Sequence, residues 1–431
     1  MRILVQAIQS NDASAAARVL EEHPGLKARL DEPWPGGSFG QTALLAAVQH
    51  PNREMVDVLL GAGANINQKS HWWAGGFHVL DEAWRAPWMA SFLIGRGAVP
   101  EIHHAVRLEM LEDVRRMLGE DPARIHARGG DGQLPLHFAQ TPAMADFLLD
   151  RGADIDARDI DHESTAAQWM VRDRPEVARA LMKRGCATDI LMAAALGDLE
   201  MVNRILAADA GAIRTAVDGA HFPMRDPRAG GTIYIWTLGA NKTAQVIARE
   251  FGHEDVFRAL MDRTAGAMRL ALACELGDEG LCRQLRAARP DLATTLTADE
   301  QQKIADAAQN NNTAAVRLML EAGWPVDARG QHNATPLHWA GFHGNVEMTR
   351  VLLQHRAPVN VKGDEYDGTP LAWALHGSVH GWHCETGDYA GTAGALLAAG
   401  ADAPPLSDGM TGTAPVVDVL RRHARRGAAE G

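Results

Sequence analysis

Residues 335–345 read TPLHWAGFHGN, and residue 369 begins the phrase again with TPLAWALHG, 34 residues further on. A chain that returns to one phrase at such an interval is a row of similar small units, each too slight to close a core alone. The phrase has physical content at each position. Thr335 suits a helix N-cap and Pro336 the first helical residue, where a missing N–H costs nothing, and Gly344 ends the short helix so begun. In VEMTRVLLQHRA, Val346, Met348, Val351 and Leu352 recur near helical spacing, which predicts a second helix with one apolar stripe. Gly-Ala pairs at 63–64, 97–98, 152–153 and 400–401 mark the ends of such second helices, the glycine supplying a left-handed C-cap. A polar segment such as ARGQHN or KGDEYDG then leads to the next pair.

Looser copies precede these: QTALLAAVQ with VDVLLGAGANIN, QLPLHFAQ with MADFLLDRGADIDARD, and STAAQWMV with VARALMKRGCATD. The pattern resembles the ankyrin repeat family, in the manner of bacterial-type ankyrin-only proteins with long inserted loops. The resemblance implies an all-α solenoid of helix-turn-helix units joined by β-hairpin-like fingers, with a concave groove that binds another protein. A walk along the chain with this template finds about twelve helix pairs, starting near residues 3, 41, 77, 101, 133, 164, 190, 242, 266, 300, 334 and 369. They are expected to form one continuous array over 1–403, with units at 77–100 and 164–189 too short for a full finger. Residues 404–431, with PVVDVLRRHARRG, read as a C-terminal capping helix and a frayed tail.

Charge narrows the partners. With 54 Asp and Glu against 42 Lys and Arg, a formal net charge of −12, the chain is a poor ligand for nucleic acid or an anionic membrane. The opening MRILVQAIQSNDAS is broken by Gln6 and Gln9 before it could serve as a signal core, and no stretch approaches the roughly 20 apolar residues of a membrane span. Cys186, Cys274, Cys282 and Cys384 lie far apart with no C-x-x-C spacing, as expected of a reducing compartment. A cytoplasmic protein is the expectation.

Departures from the repeat carry the functional reading, because insertions map to loops. Three stand out. QKSHWWAGGFHVLDEAW, residues 68–84, gathers His71, Trp72, Trp73, His78 and Trp84 around a Gly-Gly. DGAHFPMRDPRAGGTIYIWTLGANKTA, residues 218–244, is about 20 residues longer than a standard finger and contains His221, Arg225, Tyr234, Trp236 and Lys242, with the β-prone run TIYIW between glycines. HGSVHGWHCETGDYAG, residues 376–391, adds about 11 residues between the helices of the last full repeat and contains His376, His380, Trp382, His383, Asp388 and Tyr389.

Phe138, Trp169, Trp339 and Trp373 occupy the position just after the H of the TPLH phrase and read as core, whereas Trp72, Trp73, Trp236 and Trp382 sit in insertions, where tryptophan serves as a binding anchor. His376, His380 and His383, beside Cys384, Glu385 and Asp388, superficially resemble a ligand cluster, but Gly377 and Gly381 predict a loop there and no metal is assigned. His137 and His338 are expected to brace adjacent fingers. There is no G-x-S-x-G, H-E-x-x-H, Walker or G-x-G-x-x-G motif, so no cofactor is expected and candidate catalysts reduce to residue types: His71, His78, His221, Arg225, Lys242, Tyr366, His380, Asp388 and Tyr389. Two readings follow. In one, groove positions Gln41, Gln133, Arg172, Asp173, Lys242, Phe342, His343 and His376 contact a neutral or basic protein. In the other, the three insertions converge on a pocket for a small molecule, as an enzyme or receptor.

Overall fold

The computed structural model describes residues 2–34, 37–83, 86–363, 367–405 and 411–430. It divides into two compact units, Met1–Val256 and Phe257–Gly431. Each is built of short helix pairs, and no strand occurs among the described residues.

The two helices of a pair differ in burial because they meet different surroundings. The helix Ala43–Val48 buries all of its residues, and so does Ile190–Leu196. Second helices bury one stripe, as Arg53–Gly61 does with Met55, Val56 and Leu59. Their first turns are capped by side chains: Thr42 Oγ1 accepts from Leu45 N–H, Asn52 Oδ1 from Met55 N–H and Asp189 Oδ1 from Met192 N–H.

The fingers are tight turns rather than ladders. Two isolated bridges, Arg158 to Thr165 and Ala216 to Thr243, are the β pairing present among the described residues. One or two backbone bonds close a finger, such as Gly129 N–H to Gln133 O at 2.8 Å or Gly330 N–H to Ala334 O at 3.0 Å. The tip residue is left-handed in three of them: Phe39 at φ 56°, Asp131 at 54° and His332 at 60°.

Imidazoles stitch neighbouring pairs. His137 Nδ1 accepts from Leu134 N–H while Nε2 donates to Ser164 O at 3.1 Å. His338 repeats this with Thr335 N–H and Gly368 O, also at 3.1 Å. On the opposite edge, at the turn between helices, His253 Nε2 donates back to Ala195 O and His343 Nε2 to Gln309 O. Burial pushes His137, His338 and His343 down to about 4, so all three are neutral braces near pH 7.

In the first unit the short repeat near 77–100 has a first helix of only 4 residues, Val79–Glu82, and the one near 164–189 has 5, Ala166–Met170. The core of the second unit includes Trp324, Trp339 and Trp373, and the C-terminal helix Ala414–Glu430 lays Val416 and Leu420 into it. That helix carries regular structure through the residues read as a frayed tail. Phe138, Trp339 and Trp373 are buried as expected, and Trp169 is partly so.

Two local expectations are overturned. TIYIW forms no strand: Tyr234 is helical and Ile235–Gly239 is a wide helical turn, with Thr237 Oγ1 bonded back to Ile233 O. Residues 376–380 form no loop either, because the helix Pro370–His380 runs through Gly377. A Cβ at Gly377 would collide with the carbonyl of Phe342, so this glycine serves close helix approach rather than a break.

Candidate functional site

In the first unit the insertions 68–84 and 218–244 meet over a row of finger tips. Their backbones are joined tip to tip. Asp131 N–H donates to Gly75 O at 3.3 Å, Asp161 N–H to Asp131 O at 3.1 Å, and Gly230 N–H to Asp161 O at 2.9 Å. Side chains add a bridge, since the Arg228 guanidinium lies 4.2 Å from the Trp73 ring centroid. Trp72 stands edge-on to Phe39 at 4.9 Å and tilted against Trp73 at 6.2 Å, making an aromatic wall at one end of the row.

The middle of the row is acidic. Asp159 is fully engaged, accepting from His162 N–H, Ser164 N–H and the Trp169 indole. Asp131 and Asp161 each hold one buried carboxylate oxygen, Oδ1, with no hydrogen-bond donor. His162 Nδ1 lies 2.7 Å from Gly231 O and Nε2 lies 3.6 Å from Asp161 Oδ2. Burial, reinforced by the charges of Asp161 and Asp159, pushes Asp131 up to about 7, and burial pushes Asp159 up to about 6. The Trp72 indole faces Asp131 without a well-directed hydrogen bond.

The other candidates of these two loops are mostly anchors. His71 N–H and Nε2 reach Gly40 O and Asp31 O. His78 is a helix N-cap whose Nδ1 accepts from Leu80 N–H and whose Nε2 contacts Asn67 Oδ1. His221 pairs with Asp218, Lys242 with Glu250, and the Arg225 backbone N–H with Glu163. Tyr234 is fully buried and donates to Asp189 Oδ2 at 2.9 Å. Trp236 projects outward, 71% exposed.

Beside His78 lies a buried cluster that sequence reasoning missed. Asp81 Oδ1 is 3.3 Å from His104 Nε2, and the His103 ring centroid lies 4.1 Å from that of His104. The HH dipeptide at 103–104 and the DIDH run at 159–162 were the available signals for the two clusters. Neither lies within an insertion, so attention to insertions passed over both.

In the second unit the insertion 376–391 presents an aromatic step. Trp382 is 64% exposed, yet its ring lies nearly parallel to buried Trp339 at 6.1 Å and edge-on to Phe342 at 5.3 Å. His376 and His380 sit one turn apart with centroids 4.8 Å apart, and His383 stands against His343 at 5.1 Å. Asp388 caps the next helix at Gly391 N–H, and Tyr389 is buried with its hydroxyl on Phe342 O. Phe342, His343, His376, Trp382 and His383 are thus brought together, while Tyr366 and Trp84 lie outside the described residues.

Family models agree with this architecture. The ankyrin repeat model matches residues 39–71 and 131–160, and the model for three ankyrin copies matches 270–364 and 304–382. The chain is an ankyrin repeat protein. Among relatives, the palmitoyltransferase Hip14 of Drosophila melanogaster is 33% identical over 105 residues, 24% of this ankyrin chain and 15% of the fly protein. The E3 ubiquitin-protein ligase XB3 of Oryza sativa subsp. japonica is 34% identical over 88 residues, 20% of each chain. The ankyrin chain therefore spans a fifth or less of the length of these two relatives. A solved structure, the human ASB11 ankyrin repeat domain, is similar at 15% identity with a TM-score of 0.27, covering 72% of this chain and all of that one.

Proposed function

We propose that the chain binds another protein, and that the step built by Phe342, His376, Trp382 and His383 is its principal contact. Ankyrin repeats generally mediate protein–protein interaction, and the finer assignment rests on Trp382. An indole that is both largely exposed and backed by a buried partner ring offers much contact area at little ordering cost. Val379, 42% exposed on the adjoining helix, extends the apolar surface. The net charge of −12 favours a neutral or basic partner. No helix of the described residues is long and apolar enough to cross a membrane, and Cys186, Cys274 and Cys282 are buried free thiols, which supports a cytoplasmic setting. No specific observation favours the small-molecule alternative.

A photo-crosslinking side chain at position 382 tests this assignment in cells, with the same group at exposed Val99 as the control. Capture of a defined protein from 382 and none from 99 is expected, with loss of that product in a Phe342→Ala background. Equal capture at both positions, or none at 382, would overturn the assignment.

A further inference from the structure

We propose that Asp131, Asp161 and His162 bind a divalent transition-metal ion of the zinc class, which ties the 218–244 insertion to the finger row. Nδ1 of His162 faces the carbonyl of Gly231 at 2.7 Å and so carries the ring proton, which leaves Nε2 with a lone pair. Nε2 lies 3.6 Å from Asp161 Oδ2. Asp161 Oδ1 and Asp131 Oδ1 are buried without donors, and Asp161 as a whole is 4% exposed. One potential ligand atom from each of the three residues lies within 4.8 Å of the others. Three acceptors thus face one another with no hydrogen between them.

A proton relieves this only in part. A proton on either carboxylate would join two of the oxygens and leave His162 Nε2 without a donor, and a second proton on His162 would pair with Asp161 Oδ2 and leave both Oδ1 atoms without a partner, whereas a cation at the centre engages all three residues. At metal–ligand distances of about 2.0–2.2 Å the atoms of a tetrahedral site are about 3.4 Å apart, so each would move by less than ~1 Å. The bond from Nδ1–H to a backbone carbonyl is the outer contact that metal-bound histidines make. Two carboxylates and one imidazole suit a first-row divalent ion better than calcium or magnesium, which prefer all-oxygen shells.

The insertion is shaped to this site. A Cβ at Gly230 would stand 3.1 Å from His162 Cε1 and 3.4 Å from Asp161 Oδ2, so Gly230 lets the loop backbone lie directly against the ligands. The cluster of Asp81, His103 and His104 is the contrasting case. There His104 Nδ1 accepts Glu101 N–H, so Nε2 carries the proton and lies 3.3 Å from Asp81 Oδ1, donor toward acceptor rather than acceptor against acceptor, although no well-directed bond closes between them.

The test uses the full chain stripped with chelator and titrated with zinc chloride alone by calorimetry, with cobalt(II) absorption as an independent readout. The expected result is one zinc per chain, tetrahedral cobalt bands, and increased amide protection over 226–239 in hydrogen exchange. Asp161→Asn and His162→Gln, checked for folding by circular dichroism, should each weaken binding at least tenfold, while His104→Gln should bind as the parent does. Absence of zinc binding by the parent would overturn the proposal. So would binding that survives both site variants or is lost in His104→Gln.

Discussion

The insertions 218–244 and 376–391 occupy different places in the repeat, and each has the character its place imposes. The first lies between helix pairs, at a finger, where backbone amides and carbonyls of successive tips are already side by side. It folds back along that row, joins it through backbone hydrogen bonds and buries Tyr234. The second lies inside a pair, between first and second helix, where the preceding helix simply continues to His380 before the chain turns. What it adds is an exposed indole on a buried aromatic floor. Position within the repeat thus decides whether an insertion becomes a polar clasp or an apolar step.

The sharpest way to break this contrast is to separate floor from step. Trp339→Ala should cost about 3–5 kcal/mol in chemical denaturation of the second unit, as expected for a buried large side chain. Trp382→Ala should cost under ~1 kcal/mol in the same measurement. Similar stability losses for the two would show that Trp382 is core. Next comes pH. His338 and His343 have native values near 4 against about 6.5 in the unfolded chain, so the unfolded state takes up protons first. Their contribution is complete above 6.5 and is lost as pH falls toward 4, by up to about 1.4 kcal/mol per pH unit each. Faster amide exchange over 335–345 across that window would report it.

The clasp responds with the opposite sign. Asp131 is raised in the folded chain, so its charge costs stability above about 7, and that cost is relieved as pH falls through 7 toward the unfolded carboxyl value. Without metal, Asp131→Asn should therefore stabilise the first unit at pH 8 by about 1–2 kcal/mol and lose that advantage near pH 4. A destabilised variant at pH 8 would contradict the acceptor excess. Tyr234→Phe should cost about 1–2 kcal/mol by removing the bond to Asp189, with faster exchange confined to the insertion. The smallest effect concerns thiols: exposed Cys384 should react with an aromatic disulfide in the native chain while buried Cys186, Cys274 and Cys282 wait for unfolding.

The repeat was legible because its signals are local. An N-cap Thr and a proline at the first helical position each answer a need within one turn, and Thr335 and Pro336 stand at those positions as read. The aromatic step was legible in outline through Phe342, His343, His376 and Trp382. What could not be read was register between repeats. Asp131 and Asp161 lie on successive fingers, and only the stacking of those fingers shows that their carboxylates meet. TIYIW misled because β-branched and aromatic residues report burial as readily as strand, and the burial of Ile233 and Tyr234 is served here by helical turns. Gly377 misled because glycine marks close approach as well as chain breaks.

The imidazole stitches bear on how such a chain can be rearranged. His137 and His338 reach forward to the next finger, while His253 and His343 reach back across the helix turn. A single repeat is for that reason not an interchangeable part, since excising one strands a carbonyl on one neighbour and a ring N–H on another. Recombination would preserve the fold best where the forward stitch is chemically ruled out. Glu300, an acceptor-only carboxylate three residues after its N-cap Thr297, where His338 follows Thr335, cannot supply the imidazole N–H of that stitch.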